Sequence, residues 1–167
     1  MKKIYFAGKF NLIKDKGLSL SERLVNDFRS LILGDSKLLT YYNDKLIIND
    51  KYQYMGPFYC ELASNGDFTS TDCNVVIEAE YKSVQESDIY FVVFDQNFSV
   101  GSIVELAWAI DMDKEIIIFY QNEESVYQIK SEYWFAIADA MKRSSKVQVF
   151  SFDEISAVIN YVKEGMI

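Results

Sequence analysis

Glu105 lies one turn inside Val100-Gly101-Ser102-Ile103-Val104-Glu105-Leu106-Ala107-Trp108-Ala109, a helical segment that is otherwise almost wholly apolar. A carboxylate on such a helix is costly to bury unless it has partners or faces a pocket. The plain alternative is a solvated surface glutamate, since Glu is a good helix former; the apolar neighbours argue against it. Ser99, Gly101 and Ser102 precede it at a strand-to-helix turn. Hydroxyls and a glycine there can assemble N–H groups around an anion or a sugar hydroxyl, although an ordinary N-cap has the same composition. Together they place hydroxyls, N–H groups and a carboxylate at one helix entrance, a set suited to chemistry on a small polar ligand.

A second cluster is Tyr5-Phe6-Ala7-Gly8-Lys9-Phe10. A strand ending at Gly8 lets a ligand approach the backbone closely. Phe10 can wall a flat ring, Tyr5 can donate a phenol hydrogen bond, and Lys9 is the only cation near the turn. Core aromatics with a surface lysine are the bland reading of the same residues.

The elements that must position these groups follow from apolar patterning. Lys3–Ala7 reads as a first strand. Ser19-Leu20-Ser21-Glu22 matches a capping box, followed by Leu24, Val25, Phe28, Leu31 and Ile32 at helical spacing, with Gly34 as the stop. Leu38–Tyr42 and Leu46–Ile48 are short extended candidates, and Tyr54–Tyr59, with the only proline, reads as a loop. Gly66 to Thr71 lead into a helix from about Asp72 to Glu86. Asp88–Phe94 reads as a central buried strand, Val100–Met112 as the helix after it, and Glu115–Tyr120 as another strand. Glu132–Lys142 is read as helix, with Tyr133-Trp134-Phe135 packed inward. Val147–Phe150 is a last strand and Phe152–Glu164 a last helix with Ile155, Val158, Ile159 and Val162 inward. Strands alternating with helices predict a parallel sheet covered on both sides. No repeat or linker interrupts it, so residues 1–167 are expected to form a single domain.

Composition removes whole classes of activity. The net charge of −8 argues against a broad grip on a nucleic acid polymer. With no histidine, Ser-His-Asp and Cys-His systems and His-ligated metal sites are excluded, and acid–base work falls to Asp, Glu, Lys, Tyr or Cys. Cys60 and Cys73 fit neither a disulfide framework nor a zinc site. No apolar run reaches membrane-spanning length, and the opening residues are too quickly polar for a signal peptide. A cytoplasmic protein with no membrane partner is expected.

The segments Ile4–Phe10 and Val100–Ala109, followed by Lys114-Glu115-Ile116-Ile117-Ile118, resemble the nucleoside 2-deoxyribosyltransferase family. The resemblance implies a flavodoxin-like three-layer α/β sandwich with a five-stranded parallel sheet. It implies cleavage of the N-glycosidic bond of 2'-deoxynucleosides through a covalent deoxyribosyl–glutamate intermediate, then transfer of the sugar to another nucleobase. By position, Glu105 matches the nucleophile and Tyr5 the tyrosine that orients it. Gly8, Lys9 and Phe10 fall where ligand is lined, with Lys9 and Phe10 at the base pocket. Glu80 occupies the place of an aspartate that handles the proton of the base; it is one methylene longer, and Glu78 is a nearby alternative on another helix face. Ser99, Gly101 and Ser102 match the groups holding the sugar or its 5' substituent. Serine at position 99 is typical of the related deoxynucleoside 5'-monophosphate N-glycosidases, although no arginine follows Gly8 as it does in those hydrolases. The resemblance further implies no metal or organic cofactor, nucleoside or nucleotide and nucleobase partners, and assembly as a homo-oligomer. Hydrolysis of deoxynucleoside 5'-monophosphates is the alternative activity. A non-catalytic nucleotide-binding module is the alternative of another class.

Overall fold

The computed structural model describes residues 1–15, 17–34, 46–58, 73–97, 99–122 and 131–165. The expected strand at Leu38–Tyr42, the lead-in from Gly66 to Thr71, and Cys60 lie outside the described residues. The elements are β1 (Lys2–Gly8), α1 (Leu20–Arg23), α2 (Phe28–Leu33), β2 (Leu46–Ile48), β3 (Tyr52–Tyr54), α3 (Cys73–Glu86), β4 (Ile89–Phe94), α4 (Val100–Asp111), β5 (Glu115–Gln121), α5 (Ser131–Arg143), β6 (Val147–Phe152) and α6 (Ile155–Lys163).

Among the described residues the sheet has six strands in the order β2-β3-β1-β4-β5-β6, one more than expected. Pairing is parallel except for the edge strand β2, which runs antiparallel to β3. Leu46–Ile48 forms the short β2 as expected, and the added strand is β3. Tyr52–Tyr54 carries only weak alternation and was expected at the margin of a loop; pairing of Lys2, Lys3 and Ile4 with Tyr52, Gln53 and Tyr54 makes it a strand.

β4 is buried along its whole length, as a strand covered on both faces must be. Alternate residues of β1 and β4 feed two cores. Ile4, Phe6, Phe91 and Val93 pack with Phe28 and Ile32 of α2 and Val158 and Val162 of α6. Tyr5, Ala7, Tyr90 and Val92 pack with Val84 of α3, Leu106 and Ala109 of α4, and Tyr133 of α5. The result is a flavodoxin-like α/β sandwich. Strand order reverses at the β1–β4 junction, where open α/β sheets place ligands beyond the carboxyl ends of their strands. No helix among the described residues is long and apolar enough to cross a membrane.

Three further expectations are corrected. The helix expected from the Ser19 capping box through Ile32 is two short helices separated at residues 24–27, because Asp27 starts a new one. Its carboxylate caps α2 by accepting from the Arg29 backbone N–H. β6 runs on to Phe152, and the last helix starts only at Ile155. In the Tyr133-Trp134-Phe135 cluster only Tyr133 is buried, while Trp134 and Phe135 are exposed. The capping box does form: Glu22 N–H donates to Ser19 Oγ, and Ser19 N–H donates to the Glu22 carboxylate.

Candidate active site

A cavity of about 450 Å³ opens at the carboxyl ends of β1 and β4. Gly8 at the end of β1 and Lys9 and Phe10 just beyond it line the cavity, with Glu80 from α3, and Ser99, Gly101, Ser102 and Glu105 from the entrance of α4. Every one of these expected site residues is thus at one pocket. Tyr5 lies beneath it, fully buried.

The helix geometry explains the α4 contribution. Ser99 has extended backbone and is the N-cap, with its Oγ accepting from Ser102 N–H at 3.4 Å. The two serine hydroxyls are 2.9 Å apart. Ser102 and Glu105 share a helix face three residues on, and both are buried. Gly101 is exposed, and a Cβ there would meet nothing within 4 Å. Val100 and Val104, on the opposite side, are exposed rather than buried as the apolar run implied.

Two stacked tyrosines tie this helix to the sheet. Tyr5 and Tyr90 are paired across β1 and β4, with ring centroids 5.9 Å apart. Tyr5 donates its phenol hydrogen to Glu105 Oε1 at 2.8 Å, and Tyr90 donates to the Ser102 carbonyl at 2.7 Å. Burial, and then the nearby Glu105 charge, push the Tyr5 phenol well above its usual range, so it stays a donor.

Glu105 is 6 % exposed. Burial raises its carboxyl above the ordinary value; hydrogen bonds from Tyr5 and with Glu80, and the charge of Arg29, oppose that rise. A hydrogen bond between two carboxyl groups requires a proton on one of them. Tyr5 donates to Glu105 Oε1 and leaves the second carboxylate oxygen for that contact. Glu80 is half-buried at the pocket, whereas Glu78 is exposed on another face of α3. Of the two, Glu80 is the one that lines the pocket.

Gly8 is constrained. Its φ is +140°, and a Cβ would stand 2.9 Å from the Val93 carbonyl oxygen. Lys9 is exposed. It is not the only cation near the turn, as expected, because Arg29 reaches under the loop from α2. The Arg29 Nη1 donates to the Gly8 carbonyl at 3.0 Å and Nη2 to the Lys9 carbonyl at 3.1 Å. Neither Asp27 nor Arg29 was singled out from the sequence, where Asp27-Phe28-Arg29 looks like an ordinary helix start. Tyr133 was noticed but not assigned a role. Its hydroxyl accepts from Ser99 N–H at 3.1 Å and donates to the Asn97 carbonyl at 2.6 Å, bracing the turn into α4. Among the described residues no group of three or more Cys, Asp and Glu is placed to hold a metal ion.

No family model and no curated protein sequence matches the chain. Among solved structures, the CMP N-glycosidase BcmB of Clostridium botulinum is similar, with a TM-score of 0.57 at 15 % identity over 98 % of each chain. At that identity the likeness establishes a shared fold across the whole length of both proteins.

Proposed function

We propose that this protein cleaves the N-glycosidic bond of a nucleoside or nucleotide, with Glu105 as nucleophile and Glu80 as acid and base. The observation that carries the reading is the buried Glu105 carboxylate at the pocket wall, held by the Tyr5 hydroxyl at 2.8 Å and hydrogen-bonded to a second carboxyl group.

In the first step Glu105 attacks the anomeric carbon, through an oxocarbenium-like transition state as in retaining glycosidases. The carbon–nitrogen bond breaks, and the base leaves with the bonding pair and takes its proton from Glu80. A glycosyl ester of Glu105 remains. In the second step an incoming nucleobase or water attacks that carbon, gives a proton to Glu80, and frees the Glu105 carboxylate. Dividing one hard displacement into two lowers each barrier. The two carboxyl groups need opposite protonation states; the hydrogen bond from Tyr5 and the charge of Arg29 favour the ionised form of Glu105 against its burial. Ser99, Gly101 and Ser102 bind the sugar or its 5' substituent, and Phe10 and Lys9 face the base. The reading includes a cytoplasmic homo-oligomer that needs no metal or organic cofactor.

Transfer to a second base is the principal form of the proposal. Hydrolysis of a 5'-monophosphate is the second reading, favoured by Ser99 at the helix entrance and by the activity named for the Clostridium botulinum neighbour. One assay separates them. The protein is incubated with deoxyinosine or deoxyadenosine, with and without an acceptor base, and separately with 5'-monophosphates including CMP and dCMP. A new nucleoside that forms only with acceptor supports transfer. Base release from monophosphates alone supports hydrolysis. Absence of turnover in every arm refutes both.

A further inference from the structure

Arg29 is among the largest fully buried side chains described, and glycosidic chemistry makes no direct use of it. Its guanidinium forks onto Asp27, with Nε on Oδ1 at 2.8 Å and Nη2 on Oδ2 at 2.9 Å. The remaining donors go to main-chain carbonyls: Nη1 to Phe6 at 3.3 Å and Gly8 at 3.0 Å, and Nη2 to Lys9 at 3.1 Å. Asp27 Oδ2 also accepts from Asn11 N–H at 2.9 Å. The guanidinium carbon lies 3.9 Å from the centroid of the Phe10 ring, a cation–π contact.

The location gives this pair a purpose. β1 ends at Gly8, and residues 9–13 belong to no ladder or helix. Their backbone polar groups need other partners. Replacing a buried ion pair by apolar residues is often neutral or stabilising, so such a pair is weak evidence of a stability role. Here it holds the backbone on both sides of Gly8 and backs the aromatic ring that lines the pocket.

We propose that Arg29, paired with Asp27, is the positioning residue of this pocket wall. It holds Gly8, Lys9 and Phe10 in one preformed arrangement, so that the planar ring of the ligand meets a fixed face of Phe10. The substrate side of this inference rests on the glycosidic reading above; the clamp itself does not. Loss of the fork with the charge kept weakens ligand binding more than it slows bond cleavage, because the Tyr5–Glu105 hydrogen bond does not involve Arg29.

The test uses Arg29→Lys, which keeps the charge and loses the fork, and the paired Asp27→Asn/Arg29→Met, which strands no buried charge if the first variant fails to fold. The expected result is a KM raised about tenfold with kcat within about threefold of the parent protein. Amide hydrogen exchange should accelerate at residues 9–11 and stay unchanged at 99–105. A KM changed by less than about threefold in a folded variant, or exchange that accelerates equally at both segments, overturns the proposal. If the parent protein turns over none of the nucleosides or nucleotides offered, the glycosidic reading has failed. The exchange pattern then decides the clamp by itself.

Discussion

The two walls of the pocket are built on opposite principles. The α4 wall is regular structure. Ser99 caps the helix, and Ser102 and Glu105 follow on one face, so their relative positions come from the helix itself. The β1 wall is irregular. Gly8, Lys9 and Phe10 are held by a guanidinium 21 and 20 residues away from the carbonyls of Gly8 and Lys9. The comparison separates two tasks. Groups that make and break bonds are best carried on an element that is rigid in its own right. A surface that shapes a ligand can be irregular provided its backbone polar groups are satisfied from elsewhere.

The largest effect should come from the α4 wall. Glu105→Gln keeps an acceptor for Tyr5 and removes the proposed nucleophile, so kcat/KM should fall about a thousandfold or more in steady-state assays. The same variant should melt at a higher temperature near neutral pH. Burial raises the Glu105 carboxyl above its unfolded value, so ionisation favours the unfolded chain once pH exceeds that unfolded value. The advantage of Gln should therefore vanish as pH falls below the ordinary carboxylate range, which calorimetry across pH can check.

Tyr5→Phe should have the next largest effect, about ten- to a hundredfold in kcat/KM. The groups acting on Glu105 are Tyr5 from β1, Glu80 from α3 and Arg29 from α2, with Tyr90 of β4 beside them. Removing the Tyr5 hydrogen bond raises the Glu105 carboxyl further. Activity, which needs the ionised form, should then be lost at a higher pH on the acid side of the profile. An unmoved acid limb would detach Tyr5 from the carboxylate and blur the distinction between the walls.

Tyr133→Phe should have the smallest effect. It keeps the stacking on Phe94 at 4.3 Å between ring centroids but leaves the Asn97 carbonyl and Ser99 N–H without their hydroxyl partner. A destabilisation of about 1 kcal/mol is expected by chemical denaturation, with faster exchange at Ser99 and little change in kcat. Were this change to loosen residues 99–105 as much as loss of Arg29 loosens residues 9–11, the α4 wall would not be the self-supporting one.

Legibility in the sequence follows the same division. The helix entrance at Ser99, the buried Glu105 and the strand before them were readable because each is specified within a few residues. Periodicity likewise revealed the alternating layers. The edge pair β2–β3 was only half seen, because its strands are three residues each; β3 owes its form to pairing with β1, and β2 to pairing with β3. The single helix expected from the Ser19 capping box through Ile32 failed before Asp27, where a capping carboxylate and a buried arginine outweigh apolar spacing. Trp134 and Phe135 were expected inside by their type, but they share a helix with Tyr133 and not its face.

Chain order and residue type alone settled the alternation of strand and helix, the acidic group one turn into α4, and the absence of histidine chemistry. These depend on local backbone preference and on which side chains exist, so no distant contact can alter them. The placing of Glu80 rather than Glu78 at the pocket, the phenol of Tyr5 on Glu105, and the recruitment of Arg29 to the β1 turn were decided only when the chain closed on itself. Each joins groups far apart in sequence, and each reflects a buried polar atom taking the partner that the packed layers bring within hydrogen-bonding reach.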